Sequence, residues 1–214
     1  MRPVICLITD GRLGAGRDAD ALVESVGDAA RAGVDLIQVR ERGVDDLMLA
    51  AVVGRCVRAV RGTRARVLVN DRLDVALAGG AHGVHLRSDS YPAARARAMT
   101  AAGFLVGRSV HSVEDAVRAS ADDSVNYLIF GTVFATSSKP GHVPAGLTAL
   151  ADTVRATAVP VLAVGGVTAD NARLVARAGA AGVAAIGLFA DGALPLPSSL
   201  ERITRAFDTL EGGP

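Results

Sequence analysis

Short apolar runs alternate with longer stretches of helical spacing along the whole chain. The runs fall at 4–9, 36–40, 67–70, 84–86, 105–107, 127–131, 161–165 and 183–187. Short runs rich in Val, Leu, Ile and Ala suit parallel strands that helices cover. Between them, segments near 18–32, 45–61, 73–78, 92–102, 113–120, 147–157, 169–178 and 197–210 read as helices. Strand followed by helix throughout predicts an α/β fold with a parallel sheet. Eight such units predict closure into a single (β/α)8 TIM barrel, with 1–214 as one domain. The competing architecture is an open doubly wound sheet. It needs a phosphate loop after the first strand, and Asp10-Gly11-Arg12-Leu13-Gly14-Ala15-Gly16 has neither GxGxxG nor Walker spacing.

One local pattern recurs. Arg31-Ala32-Gly33, Leu77-Ala78-Gly79 and Arg177-Ala178-Gly179 each close a helical segment shortly before a run. Glycine there is expected to take the left-handed conformation that stops a helix.

Composition narrows the function classes. Aromatics are 3% of residues, Trp is absent, and the net charge is +1. A balanced charge gives no footprint for nucleic acid, so any anionic ligand must meet a local cluster of cations. Cys6 and Cys56 lie far apart in apolar stretches and read as buried, reduced thiols. The opening run is too short for a signal peptide, and the longest apolar stretch is too short and too rich in glycine to span a membrane. These features predict a cytoplasmic protein that engages neither nucleic acid nor membrane. A homo-oligomer stays open.

In a (β/α)8 barrel the active site lies at the C-terminal strand ends. Thr9, Gln38, Asn70, Leu86, Ser109, Thr132, Gly165 and Gly187 are therefore expected around one mouth. The polar residues after the runs have a common character. They are Gln38, Arg40 and Arg42; Asn70 and Asp71; Arg87 and Asp89; Ser109 and His111; Thr132, Thr136, Ser138 and Lys139; and the glycines Gly165, Gly166 and Gly187. Cations, hydroxyls and glycines suit phosphate recognition, and the few carboxylates suit a hard metal ion. Gly165-Gly166 is expected to lead at once into a helix N-terminus, which favours an anion. Asp71 alone reads equally as a helix cap. His85 alone reads as a packed, hydrogen-bonded histidine. No His/Cys spacing suggests zinc.

These segments also carry a resemblance. Gln38-Val39-Arg40-Glu41-Arg42, Val69-Asn70-Asp71-Arg72, Gly83-Val84-His85-Leu86, Gly107-Arg108-Ser109-Val110-His111-Ser112, the 131–139 segment and Ala163-Val164-Gly165-Gly166-Val167 stand in the order found in the thiamin phosphate synthase/TenI superfamily. The chain resembles that superfamily along nearly its whole length. The resemblance implies small phosphorylated substrates. Gln38, Arg40 and Arg42 would hold the diphosphate of an aminopyrimidine, with Asn70 on the same ligand. Asp71 would hold Mg2+, and Ser109 would face the pyrimidine. Thr136 and Ser138 would contact thiazole phosphate, Lys139 would approach the leaving diphosphate, and backbone N–H groups near Gly166 and Gly187 would bind phosphate.

Departures from the family pattern leave three functions open. The synthases' second metal-binding Asp stands here as Ser90, with Asp89 one residue earlier as the candidate substitute. Arg42 replaces the usual Lys, which keeps the charge and changes the donor geometry. The acid/base His of TenI-type thiazole tautomerases corresponds to Thr132, leaving His111 as the candidate in that role. The leading expectation is a thiamin phosphate synthase, with Arg40, Arg42 and Lys139 acting on the departing charge. The alternatives are a metal-free thiazole phosphate tautomerase and a non-catalytic phosphate-binding paralogue.

Overall fold

The computed structural model describes residues 2–16, 18–121, 123–136, 141, 143–186 and 195–208. Eight strands form the centre: β1 (Val4–Ile8), β2 (Leu36–Val39), β3 (Arg66–Asn70), β4 (Gly83–Leu86), β5 (Leu105–Val110), β6 (Tyr127–Gly131), β7 (Val161–Val164) and β8 (Gly182–Ala185). Each pairs in parallel with the next, and β8 pairs back onto β1, so the sheet is a closed barrel. The (β/α)8 expectation holds.

The helices are α1 (Ala19–Ala32), α2 (Asp46–Ala59), α3 (Leu73–Ala78), α4 (Ala93–Ala98), α5 (Val113–Ala119), α6 (Gly146–Ala156), α7 (Ala172–Arg177) and α8 (Leu196–Asp208). Local chemistry starts several of them. Asp18 caps α1 by accepting from Asp20 N–H, Asp45 caps α2 through Met48 N–H, and Ser112 caps α5 through Asp115 N–H. Among the described residues no helix is long and apolar enough to cross a membrane.

Strand side chains alternate between two cores. One set, including Ile5, Ile37, Val67, Val84, Val106, Leu128, Ala163 and Val183, packs outward against the helices. The other set, including Cys6, Leu36, Leu68, Tyr127, Ile129, Leu162 and Ala184, fills the barrel interior. Cys6 and Cys56 are both buried and free, and burial pushes each thiol up to about 12. Neither is a thiolate at neutral pH.

Several boundaries differ from the sequence reading. β5 runs to Val110 rather than stopping at Gly107, because Arg108, Ser109 and Val110 pair with Leu128, Ile129 and Phe130 although the apolar run has ended. α4 stops at Ala98. The Thr100 hydroxyl donates to the Ala96 and Arg97 carbonyls and so closes the turn. α7 starts at Ala172, several residues later than expected. Gly33 and Gly179 take the left-handed conformation as expected, at φ 108° and 86°. Gly79 does not: its φ is −82°, and Gly80 takes the left-handed turn instead. Gly79 has a packing role, since an added Cβ would lie 2.6 Å from Val53 Cγ1.

Gly107 shows the same economy inside the barrel. A Cβ there would lie 2.2 Å from Tyr127 Cζ, so the missing side chain makes the space that the phenol ring fills. Gly107→Ala is expected to cost about 1–3 kcal/mol, the usual range for overpacking. Urea unfolding measures it; a variant as stable as the parent would contradict this packing.

Candidate functional site

Residues at alternate positions near the strand ends face one space. Gln38 on β2, Asn70 on β3, His85 on β4, Ser109 on β5, and Thr132 and Gly165 just past β6 and β7 line a cavity of about 450 Å3. Arg40, Arg42, Arg87, Asp89, His111 and Thr136 also border it. Of the residues expected around one mouth, Gln38, Asn70, Ser109, Thr132 and Gly165 border this cavity, and Thr9 does not line it. The Leu86 side chain packs outward with the helices, and the inward residue at the end of β4 is His85. Ser138, Lys139 and Gly187 lie outside the described residues.

The cationic side is built by two loops bracing each other. Thr9, buried just after β1, accepts the Arg40 N–H through its hydroxyl at 2.9 Å. The Glu41 carboxylate accepts the Leu13 N–H at 2.9 Å, tying the 3-10 turn after β1 to the Arg40–Arg42 segment. Gly14 lets the two backbones approach, since a Cβ there would lie 2.2 Å from the Arg42 carbonyl oxygen. Among the described residues neither Arg40 nor Arg42 pairs with a carboxylate. Partial burial, followed by the neighbouring Arg42 charge, lowers the Arg40 pKa from its ordinary value. Two neighbouring guanidinium groups that no carboxylate bonds directly among the described residues suit an anion, with the nearby Glu41 charge offsetting part of theirs.

Next to it lies an uncharged polar wall. Gln38 Nε2 donates to Asn70 Oδ1 at 2.9 Å, which leaves the Asn70 amide hydrogens free to turn elsewhere. Gln38 Oε1 is buried and has no described partner. An orphaned buried acceptor at a cavity wall suits a ligand N–H. His85 touches Ser109 Oγ at 2.9 Å through Nε2 and the Tyr127 hydroxyl at 3.0 Å through Nδ1. Burial drives the His85 pKa down to about 3, so the ring is neutral at physiological pH.

The carboxylates at the rim are already engaged. Asp71 takes a left-handed backbone at φ 63°, a conformation that Asp tolerates better than most residues. It does not cap α3, where Arg72 is the N-cap residue and makes no side-chain cap. Its carboxylate instead accepts the Ser90 hydroxyl and lies 3.7 Å from Arg87 Nε. Asp89 forms a two-pronged pair with Arg87 at 2.9 and 2.7 Å, and that hydrogen bonding lowers its pKa. Among the described residues no group of three His, Cys, Asp or Glu side chains could hold a metal ion. Arg108, which the sequence did not single out, fixes the loop between β4 and α4. Its guanidinium donates to the carbonyls of Ser88, Ser90 and Tyr91.

The opposite side of the mouth is made of glycine. Gly165 and Gly166 have φ 95° and 62°, and a Cβ on either would clash with Thr132 or with the Ala135 carbonyl oxygen at 2.4 Å. The expected helix N-terminus does not follow at once, because Thr168 and Asn171 first close a turn by hydrogen-bonding each other. That removes the helix-dipole argument for phosphate; both glycines are half-buried, and the case for their backbone N–H groups rests on the missing side chains alone. His111 Nδ1 lies 2.5 Å from the Gly131 carbonyl oxygen, to which it donates, and Nε2 has no described partner.

Residues 5–189 match the family model described as thiamine monophosphate synthase. A thiamine-phosphate synthase of Methanoculleus marisnigri is 43% identical over 183 residues, covering 84% of this chain and 84% of that protein. One from Albidiferax ferrireducens is 36% identical over 207 residues, covering 95% and 91%. The solved structure of a thiamine phosphate pyrophosphorylase from Pyrococcus furiosus superposes with a TM-score of 0.80 at 30% identity, covering 98% of this chain and 97% of that one.

Inorganic diphosphate should bind this mouth. Arg40→Gln and Arg42→Gln should each weaken it by about 10–100-fold, the range for losing a charge-assisted hydrogen bond. Titration calorimetry reads this directly, and unchanged affinity in both variants would move the anion site elsewhere.

Proposed function

Because the chain belongs to the thiamine monophosphate synthase family, we propose that it joins hydroxymethylpyrimidine diphosphate to thiazole phosphate, forming thiamin phosphate and diphosphate. The observation that carries this reading is the unpaired Arg40–Arg42 couple beside the uncharged Gln38, Asn70 and Ser109 wall in one cavity. A diphosphate ester of a neutral heteroaromatic ring needs those two surfaces side by side. Gly165, Gly166 and Thr136 across the mouth suit the phosphate of the second substrate. Ser138 and Gly187, outside the described residues, complete that assignment by resemblance, and Lys139, also outside them, would approach the leaving diphosphate.

The chemistry asks the protein mainly for charge and position. The methylene C–O bond breaks and its electron pair leaves with the diphosphate. The pyrimidine ring stabilises the resulting methylene cation, and the thiazole nitrogen lone pair closes the new C–N bond. Arg40 and Arg42 stabilise the charge that grows on the departing oxygen, the largest lever such a site has. The polar wall and the glycine turn hold the two reactants in line, which replaces an encounter in solution.

Mg2+ fits this site as a companion of the substrate rather than as a resident ion. It prefers octahedral oxygen ligands and commonly uses one or two carboxylates together with substrate phosphates. Asp71 supplies one carboxylate, and Asp89 supplies a second only when it leaves Arg87. Bound there, the ion would neutralise further charge on the diphosphate.

A second reading rests on His111, whose Nδ1–H is anchored on Gly131 and whose Nε2 is left as a base at the cavity edge. That arrangement suits proton transfer on a thiazole phosphate.

Incubating the purified protein with both substrates, with and without Mg2+, separates the readings. Thiamin phosphate and diphosphate should appear in equal amounts, and Arg40→Gln should lower kcat/KM by about 10²–10³-fold. Asp71→Asn should remove most of the Mg2+ stimulation, and Asp89→Asn little of it. Isomerised thiazole phosphate without coupling, abolished by His111→Asn, would replace the synthase reading by the second.

A further inference from the structure

We propose that Tyr127 and His85 are positioning residues for recognition of the pyrimidine. Together they hold His85 as its Nε2–H tautomer, which makes Ser109 a hydrogen-bond donor toward a neutral acceptor such as an aromatic ring nitrogen. The identity of that acceptor rests on the synthase reading; the tautomer does not.

Tyr127 opens β6, at the end of the barrel away from the mouth. Its ring crosses the interior through the space left by Gly107, and its hydroxyl ends 3.0 Å from His85 Nδ1. Both side chains are buried. Among the described residues the phenol has no other hydrogen-bond partner. A buried O–H is rarely left without an acceptor, so the phenol donates and Nδ1 offers its lone pair. A neutral imidazole carries one N–H, which must then sit on Nε2. That N–H donates to Ser109 Oγ at 2.9 Å. Ser109 lines the cavity, and its side chain touches no other described polar group. The serine hydrogen is therefore left to point at the ligand.

The reverse arrangement would have Ser109 donating to Nε2, as in a serine nucleophile with its base. It would leave the Tyr127 hydroxyl facing an Nδ1–H, with no acceptor among the described residues. Ser109 is thus held as a recognition group and not activated as a nucleophile. The relay also explains a residue whose distance from the mouth gives it no direct contact with substrate.

The experiment combines a spectrum with a kinetic cycle. In protein labelled with 15N at histidine, long-range 1H–15N correlation at neutral pH should give His85 a pyrrole-type Nε2 and a pyridine-type Nδ1. In Tyr127→Phe, Nδ1 should gain proton occupancy. The same variant should raise KM for hydroxymethylpyrimidine diphosphate about tenfold, one hydrogen bond's worth, and leave KM for thiazole phosphate unchanged. In a Ser109→Ala background, Tyr127→Phe should add no further loss, because its effect runs through the serine. An Nδ1–H tautomer in the parent protein overturns the proposal, as do losses that add in the double variant. Should Tyr127→Phe fail to fold by circular dichroism, the parent spectrum alone still decides. Absence of thiamin phosphate formation would remove the synthase reading and leave the tautomer assignment to that spectrum.

Discussion

Closure of the parallel barrel is the constraint on which everything else depends. Once β8 pairs with β1, every strand is covered on both faces, and each side chain must choose between the helix layer and the interior. The interior narrows to apolar packing around Leu36, Leu68, Ile129 and Leu162 and then opens at the C-terminal end. The same alternation delivers Gln38, two positions after Leu36, Asn70, two after Leu68, and Ser109, two after Gly107, to the open end. The polar wall is therefore a consequence of strand register rather than of loop conformation. The cations are different. Arg40 and Arg42 stand on the loop after β2, and the Thr9 and Glu41 contacts with the neighbouring backbone are what hold that loop in place.

This division explains which parts were legible in the sequence. Apolar runs report strands that are buried on both faces, so the eight-unit count was readable from pattern alone. The run ended too soon at β5, because the residues that continue that strand, Arg108 and Ser109, are polar for the sake of the mouth. Pattern reading treats such a change as the end of an element. The site residues after β2, β3 and β5 were legible because polar groups immediately after an apolar run have one place to go in this fold. Gly79 and Gly80 could not be separated by sequence, since both stand where a helix ends and only packing against Val53 decides which one turns.

Three features of the site lay beyond pattern reading. Tyr127 begins its strand and looks like ordinary core; only its register opposite Gly107 reveals that it reaches His85. Arg108 points away from the interior, and its hold on the carbonyls of the neighbouring loop has no signature along the chain. The engagement of Asp71 by Ser90 and Arg87 was anticipated only as a missing carboxylate. The structure adds that Arg87 brings a positive charge to that rim, 3.7 Å from Asp71 and paired with Asp89.

On the synthase reading one mouth holds both reactants, with the diphosphate on Arg40 and Arg42. A crystal structure of the protein with thiamin phosphate, diphosphate and Mg2+ tests it most directly. Diphosphate should lie against Arg40 and Arg42, the pyrimidine between Gln38 and Ser109, and the product phosphate near Gly165 and Gly166. Diphosphate bound elsewhere, with Arg40 and Arg42 facing solvent, would contradict it.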